Sequence, residues 1–267
     1  LEGAFAYAGG ERLVEAGLGR RQRLRLRLRD DEGREVTWYM KRYGRDPLGL
    51  RWARTVLGGP PRCPALRELA CLADVAEAGV PTMRAVTAGA ERDLFGIGRS
   101  YVIFAAVPGE ALERCLPDRL PGWSDGEGEP FNEALADLAV GLHGAGLVHR
   151  DFYASHIYLS EGADGPRLYL IDLARVFRPS RRRYRWTVKD LAALKYSMPE
   201  EWVKQHWRSF WTAYKRRRFV RNMLHGRSDA AWLASIEAKV RWMRRREPAA
   251  EAAGYVPPRP SSLEGWQ

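Results

Sequence analysis

From Arg23 to Arg29 the chain alternates strictly, with Leu24, Leu26 and Leu28 set between arginines. A strand of that composition turns every leucine to one face and every arginine to the other. Asp30-Asp31-Glu32-Gly33 is turn chemistry and Val36 to Tyr43 is the apolar return strand, so residues 12–43 read as strands. The period then lengthens. Leu66, Leu69, Leu72 and Val75 recur along one side of a helix over Pro64–Val75, and Gly79-Val80-Pro81-Thr82 ends it and begins another strand. Ser100 to Val107 is an apolar strand running into Pro108-Gly109, and residues 117–130, rich in Pro, Gly, Asp and Glu, read as a surface loop. Leu135, Leu138, Ala139 and Leu142 mark a further helix, and another is expected to start near Lys189-Asp190. Val203, Trp207, Phe210, Trp211 and Tyr214 share a helical face, as do Leu233, Ile236, Val240 and Met243 ahead of Arg244-Arg245-Arg246. Both stripes read as core contacts; the alternative is a basic, Trp-rich face lying on an anionic membrane.

The chemistry concentrates after the helix at Leu135. Leu147-Val148-His149-Arg150-Asp151-Phe152-Tyr153-Ala154-Ser155-His156-Ile157-Tyr158-Leu159 is followed by Tyr169-Leu170-Ile171-Asp172-Leu173. Phosphoryl transfer needs a base beside the acceptor hydroxyl and a carboxylate holding the metal that bridges the phosphates. Asp151 and Asp172 supply two carboxylates, each next to an apolar run that fixes it on rigid backbone. Three residues such as His149-Arg150-Asp151 occur often by chance; the same three followed by an apolar hairpin and Ile171-Asp172-Leu173 do not. Lys41, inside a strand between aromatic neighbours, is a candidate phosphate-binding cation, and Glu68 is within a helix where it could reach Lys41. Gly17-Leu18-Gly19 lies in a turn that could bring backbone N–H groups to phosphates, although two glycines in a turn are weak evidence. Asp190 either anchors the catalytic loop or caps its own helix.

Charge narrows the partners. With 44 Lys+Arg against 33 Asp+Glu the net charge is +11, which favours phosphates, acidic lipid surfaces, nucleic acid or a small acidic protein such as an acyl carrier protein. No nucleic-acid recognition motif accompanies the charge, so nucleic acid is not expected. Three cysteines, Cys63, Cys71 and Cys115, with no Cys-x-x-Cys spacing, fit neither a disulfide framework nor structural zinc and point to a reducing compartment. No apolar run is long enough to span a bilayer. The chain starts at Leu1 rather than Met, which leaves its natural start open.

The residues His149-Arg150-Asp151-Phe152-Tyr153 with His156, Ile171-Asp172-Leu173-Ala174-Arg175, and Val188-Lys189-Asp190-Leu191-Ala192-Ala193-Leu194 resemble the lipopolysaccharide core heptose kinases, the WaaP (RfaP) group of the Kdo/WaaP and protein-kinase-like superfamily. Tyr39-Met40-Lys41-Arg42 and Arg67-Glu68 add weaker support, and the likeness spans about residues 12–220. It implies an α+β, bilobal protein-kinase-like fold. Residues 1–106 would form an N-lobe of antiparallel sheet plus one helix, 107–246 a mainly helical C-lobe, and 247–267 a flexible tail. It implies ATP as donor, Mg²⁺ or Mn²⁺ as metal, and a heptose hydroxyl of the lipopolysaccharide inner core as acceptor, at the cytoplasmic, inner face of the inner membrane with peripheral contact. By position, Asp151 would be the base, with His149 and Arg150 completing the catalytic set. Lys41, Glu68, Gly17 and Gly19 would bind nucleotide, and Asp172 and His156 the metal. Protein kinases of the general type have Asn where His156 stands; imidazole is a poor Mg²⁺ ligand, which leaves open one metal or two and whether Mn²⁺ would serve. Arg175, Arg181, Arg182 and Arg183 would bind the anionic acceptor. The competing readings are a protein (tyrosine) kinase and a non-catalytic kinase-like scaffold for an acidic partner.

Overall fold

The computed structural model describes residues 1–13, 21–45, 47, 49, 63–93, 96–123, 126, 128–220 and 226–252. They form two compact units: 1–73 with 83–107, and 74–82 with 108–267. Gly17 and Gly19, expected to bind nucleotide, lie outside the described residues.

The first unit opens with helix α1 (Glu2–Ala6) and strands β1 (Glu11–Leu13), β2 (Arg21–Arg29) and β3 (Glu35–Tyr43). Helix α2 (Pro64–Glu77) follows, then β4 (Ala85–Asp93) and β5 (Gly96–Ala105). The five strands pair antiparallel throughout, in the order β1-β2-β3-β5-β4. The alternation in β2 does what its pattern dictates: Leu24 and Leu26 are buried with Met40 and Ile103, and Arg27 and Arg29 are exposed. The β2–β3 turn is closed by Asp30, whose Oδ1 accepts the N–H of Glu32 and of Arg34, and Gly33 sits at φ 77°, a left-handed conformation that favours glycine. In α2 the buried stripe is Ala65, Glu68, Cys71 and Val75 rather than the one built on Leu66, which is 49% exposed. The helix is rotated from the expectation because Glu68, a carboxylate, turns inward to meet partners on β3.

The second unit carries β6 (Glu110–Ala111), α3 (Leu112–Arg119), α4 (Gly128–Gly144), β7 (Ile157–Gly162) and β8 (Gly165–Leu170). It continues with α5 (Arg183–Ser197), α6 (Glu200–Gln205), α7 (Trp207–Val220) and α8 (Asp229–Ala252). Strands β6, β7 and β8 form a small antiparallel sheet. Gly109, at φ 85°, leads into it; a Cβ there would sit 1.9 Å from the Leu159 carbonyl oxygen, so only glycine fits. The expected loop at 117–130 is partly helix: Leu112, Cys115 and Leu116 are buried, and that apolar spacing carries α3 through Pro117 before a 3₁₀ turn at Leu120–Gly122. Helix α5 starts at Arg183, well before the expected Lys189-Asp190, which puts Asp190 inside the helix and removes the capping role. α8 runs on to Ala252, past the expected start of a flexible tail at 247. Its core is aromatic: Trp202, Phe210, Tyr214 and Trp232 are all at most 1% exposed.

Candidate active site

In the first unit the register of β3 against β5 sets Lys41 opposite Val102. The Lys41 ammonium lies 2.5 Å from Glu68 Oε1, and the Tyr43 hydroxyl donates to Glu68 Oε2 at 2.7 Å. Glu68 is fully buried. A buried carboxylate demands partners on both oxygens, and here the two residues two apart on one strand supply them. The expected Lys41–Glu68 pair is therefore present.

In the second unit, His149, Arg150 and Asp151 follow α4, with Asp172 just after β8. Asp190, buried within α5, accepts the backbone N–H of His149 at 2.7 Å and of Arg150 at 2.8 Å. This is the anchoring role rather than the capping one. Arg150 takes φ 75°, unusual for a residue with a Cβ. Its carbonyl accepts from Lys189 at 2.6 Å, so α5 grips the strained loop by two consecutive side chains. Burial lowers the Lys189 ammonium, while the Asp151 carboxylate works to raise it.

The side chains of His149 and Arg150 pack into the protein. His149 is fully buried, and its Nε2 lies 3.0 Å from the Ile171 carbonyl oxygen. A carbonyl can only accept, so Nε2 carries the proton. Burial keeps the ring's basicity low and the imidazole neutral. The Arg150 guanidinium packs over Phe177 and Trp186, 5.8 and 5.5 Å from their centroids. Both residues therefore shape the loop. The sequence assigned them catalytic roles because adjacency to Asp151 in the chain carries no information about where their side chains turn.

The Asp151 carboxylate is held by Arg175 Nη1, at 3.0 Å from Oδ1 and 2.9 Å from Oδ2. Arg175, expected to bind the anionic acceptor, is thus paired with Asp151. The Asp151 carbonyl accepts from His156 Nδ1 at 2.8 Å. That bond puts the proton on Nδ1 and leaves a lone pair on Nε2, which lies 4.0 Å from Asp172 Oδ2. Asp172 itself adopts a left-handed conformation, φ 56° and ψ 59°. A lone pair and a carboxylate oxygen at this separation can share one cation. No cluster of three or more ligating residues occurs among the described residues, so any ion there would fill its shell with water and substrate oxygens.

Of the expected acceptor arginines, Arg181 and Arg182 are exposed, and Arg183 donates to the His143 carbonyl at 3.1 Å. One end of the Arg183 guanidinium is thereby committed inside its own unit. One buried chain had no signal in the sequence. Tyr214 and His143, 71 residues apart, meet at 2.8 Å through Nδ1, and His143 Nε2 lies 3.4 Å from Asp190 Oδ2. Burial keeps His143 neutral and raises the Tyr214 phenol, so Tyr214 donates, His143 relays, and Asp190 accepts. Glu113, beneath the loop on α3, is pushed up to about 7 by burial.

The model of the lipopolysaccharide kinase (Kdo/WaaP) family matches residues 10–214. The chain is 31% identical over 202 residues to the lipopolysaccharide core heptose(I) kinase WaaP of Pseudomonas aeruginosa, covering 72% of this chain and 71% of that protein. It is 34% identical over 104 residues to the probable serine/threonine-protein kinase PkwA of Thermomonospora curvata, which is 38% of this chain and 13% of that one. Among solved structures it is similar to WaaP in complex with acyl carrier protein, with a TM-score of 0.65, 26% identity and 91% of each chain covered. The fold is accordingly α+β and kinase-like. With the family model spanning most of its length, the chain belongs to the lipopolysaccharide kinase (Kdo/WaaP) family and is an ATP-dependent lipopolysaccharide kinase.

Proposed function

We propose that the protein transfers the γ-phosphoryl group of ATP to a heptose hydroxyl of the lipopolysaccharide inner core, with Asp151 as base and Asp172 as metal ligand. The observation that carries this reading is the orientation of His156: its Nδ1–H is spent on the Asp151 carbonyl, which turns the Nε2 lone pair toward the Asp172 carboxylate. Lys41, steadied by Glu68, would hold the nucleotide phosphates. Arg175 fixes both Asp151 oxygens, so the carboxylate meets the incoming hydroxyl in one orientation and takes its proton as the oxygen attacks phosphorus. Asp172 and His156 would hold the divalent ion, which when bound offsets the negative charge of the phosphates. The donor set fits: one carboxylate and one imidazole, with room for water and phosphate oxygens.

An imidazole ligand favours Mn²⁺ over Mg²⁺ more than an oxygen ligand does. His156→Asn is therefore expected to raise the ratio of Mg²⁺- to Mn²⁺-supported activity, measured as initial rates across matched titrations of the two ions. An unchanged ratio would take His156 out of the metal site. For the acceptor, the exposed pair Arg181 and Arg182 remain candidates. Replacing both with Ser is expected to raise KM for an anionic glycolipid roughly tenfold and leave KM for ATP unaltered. An equal rise in both would mean a general effect on the fold.

The similar solved structure holds an acyl carrier protein, and this chain carries a net charge of +11. A small acidic protein of that type is the protein partner inferred here. The site of action is the cytoplasmic, inner face of the inner membrane, where ATP meets the glycolipid. The reading as a whole is tested by incubating the protein with ATP and isolated inner-core glycolipid, then locating the new phosphate by mass spectrometry and nuclear magnetic resonance. Phosphate on a heptose supports it. Phosphate on another sugar would keep the kinase and replace the acceptor.

A further inference from the structure

Helix α8 meets the rest of its unit through one face only. Trp232, Ile236 and Val240 are buried, and the Tyr184 hydroxyl of α5 donates to Ser235 Oγ at 2.8 Å. The last turns before residue 247 present something different. Five of the eight residues from Lys239 to Arg246 are basic and none is acidic. Arg241, Arg244, Arg245 and Arg246 are exposed, and among them Trp242 is 47% exposed, although its size favours burial. The Lys239 ammonium lies 3.3 Å from the centre of the indole and the Arg246 guanidinium 4.9 Å. Nearby acids are already engaged: Glu237 by Lys195, Glu247 by Tyr196, and Glu200 first by Lys204.

We infer that the exposed side of these last turns, with Trp242, Arg241, Arg245 and Arg246 at its centre, Lys239 against the indole and Arg244 at its edge, docks the protein on an anionic lipid bilayer. The inference rests on the proposed glycolipid acceptor, which lies in a membrane. An indole ringed by cations suits the headgroup layer, where the ring is half apolar and half wet and the cations meet lipid phosphates. None of the described helices is long and apolar enough to cross a membrane, so contact through this face would be peripheral.

The experiment is co-sedimentation of the full chain with phosphatidylcholine vesicles that contain or lack phosphatidylglycerol. Each arginine near an anionic surface contributes about fivefold to partitioning, so Arg241→Ser/Arg244→Ser/Arg245→Ser is expected to weaken binding to anionic vesicles on the order of 100-fold. Trp242→Ser should weaken it on its own, and raised salt should weaken the wild type. An equal-charge control, Arg12→Ser/Arg29→Ser/Arg208→Ser, removes exposed arginines of other elements and should bind like the wild type within a few fold. Rates with a soluble, delipidated acceptor should be unchanged in the α8 variants, while rates with vesicle-borne glycolipid fall. If the α8 and control variants lose binding equally, or neither loses any, the face is not the docking surface. If the wild type ignores anionic vesicles and the α8 variant instead loses an acidic protein, the face belongs to a protein partner and the inference is overturned. Vesicle binding is read without phosphoryl transfer, so failure here is distinct from failure of the kinase reading.

Discussion

Asp151→Asn is expected to slow phosphoryl transfer by about 100- to 10,000-fold, the usual contribution of a positioned general base. Nucleotide affinity and thermal stability should barely change. The substitution keeps the shape of the side chain and removes the carboxylate proposed to accept the hydroxyl proton. Its cost to folding is small because the lost partner, Arg175, is half exposed, with 51% of its side chain in solvent. A pair of that kind contributes at most about 1 kcal/mol. Steady-state kinetics give the first half of the prediction, with kcat falling while KM for ATP holds. Thermal melting gives the second. A variant that retained more than a tenth of wild-type kcat would remove Asp151 from the chemistry and point to substrate-assisted proton loss.

Asp190→Ala should damage both activity and stability. It strips the fully buried acceptor from the N–H groups of His149 and Arg150 and from His143 Nε2. A buried donor left unpaired costs about 1–3 kcal/mol. The left-handed Arg150 is a further strained element that this anchor and Lys189 help to restrain. We expect a Tm lowered by several degrees, and kcat lowered at least tenfold in whatever protein folds. Asp190→Asn, which keeps one acceptor oxygen, should fall between the two. Equal activity in Asp190→Asn and wild type would show that one acceptor suffices and that the loop is held elsewhere.

The strands were legible because period two is unambiguous when leucine and arginine alternate, as in Arg23 to Arg29. Helix α2 was legible as a helix and misread in its rotation. Leu66 looks like a core residue, whereas the inward position belongs to Glu68, a charge whose burial makes sense only once Lys41 and Tyr43 are seen beside it. The start of α5 was missed for a similar reason: its N-cap is Arg182, in a left-handed conformation with no side-chain cap, so no local signal marks it. The two carboxylates, His156 and the Lys41–Glu68 pair could be named from motif and spacing. What Arg175 and Arg183 touch could not, because an arginine reaches several ångströms in any direction and its partner is chosen by tertiary packing. The Tyr214–His143–Asp190 chain links three helices far apart in sequence, and nothing local to any of them predicts the others.

The central claim is that Asp151 serves transfer to a glycolipid sugar rather than to protein. The direct measurement follows label from γ-labelled ATP into glycolipid extract and into protein side by side, with Mg²⁺ or Mn²⁺, for the wild type and Asp151→Asn. Label in the glycolipid that disappears with Asp151→Asn is the predicted result. Label confined to protein, or glycolipid labelling that survives in the variant, would contradict it.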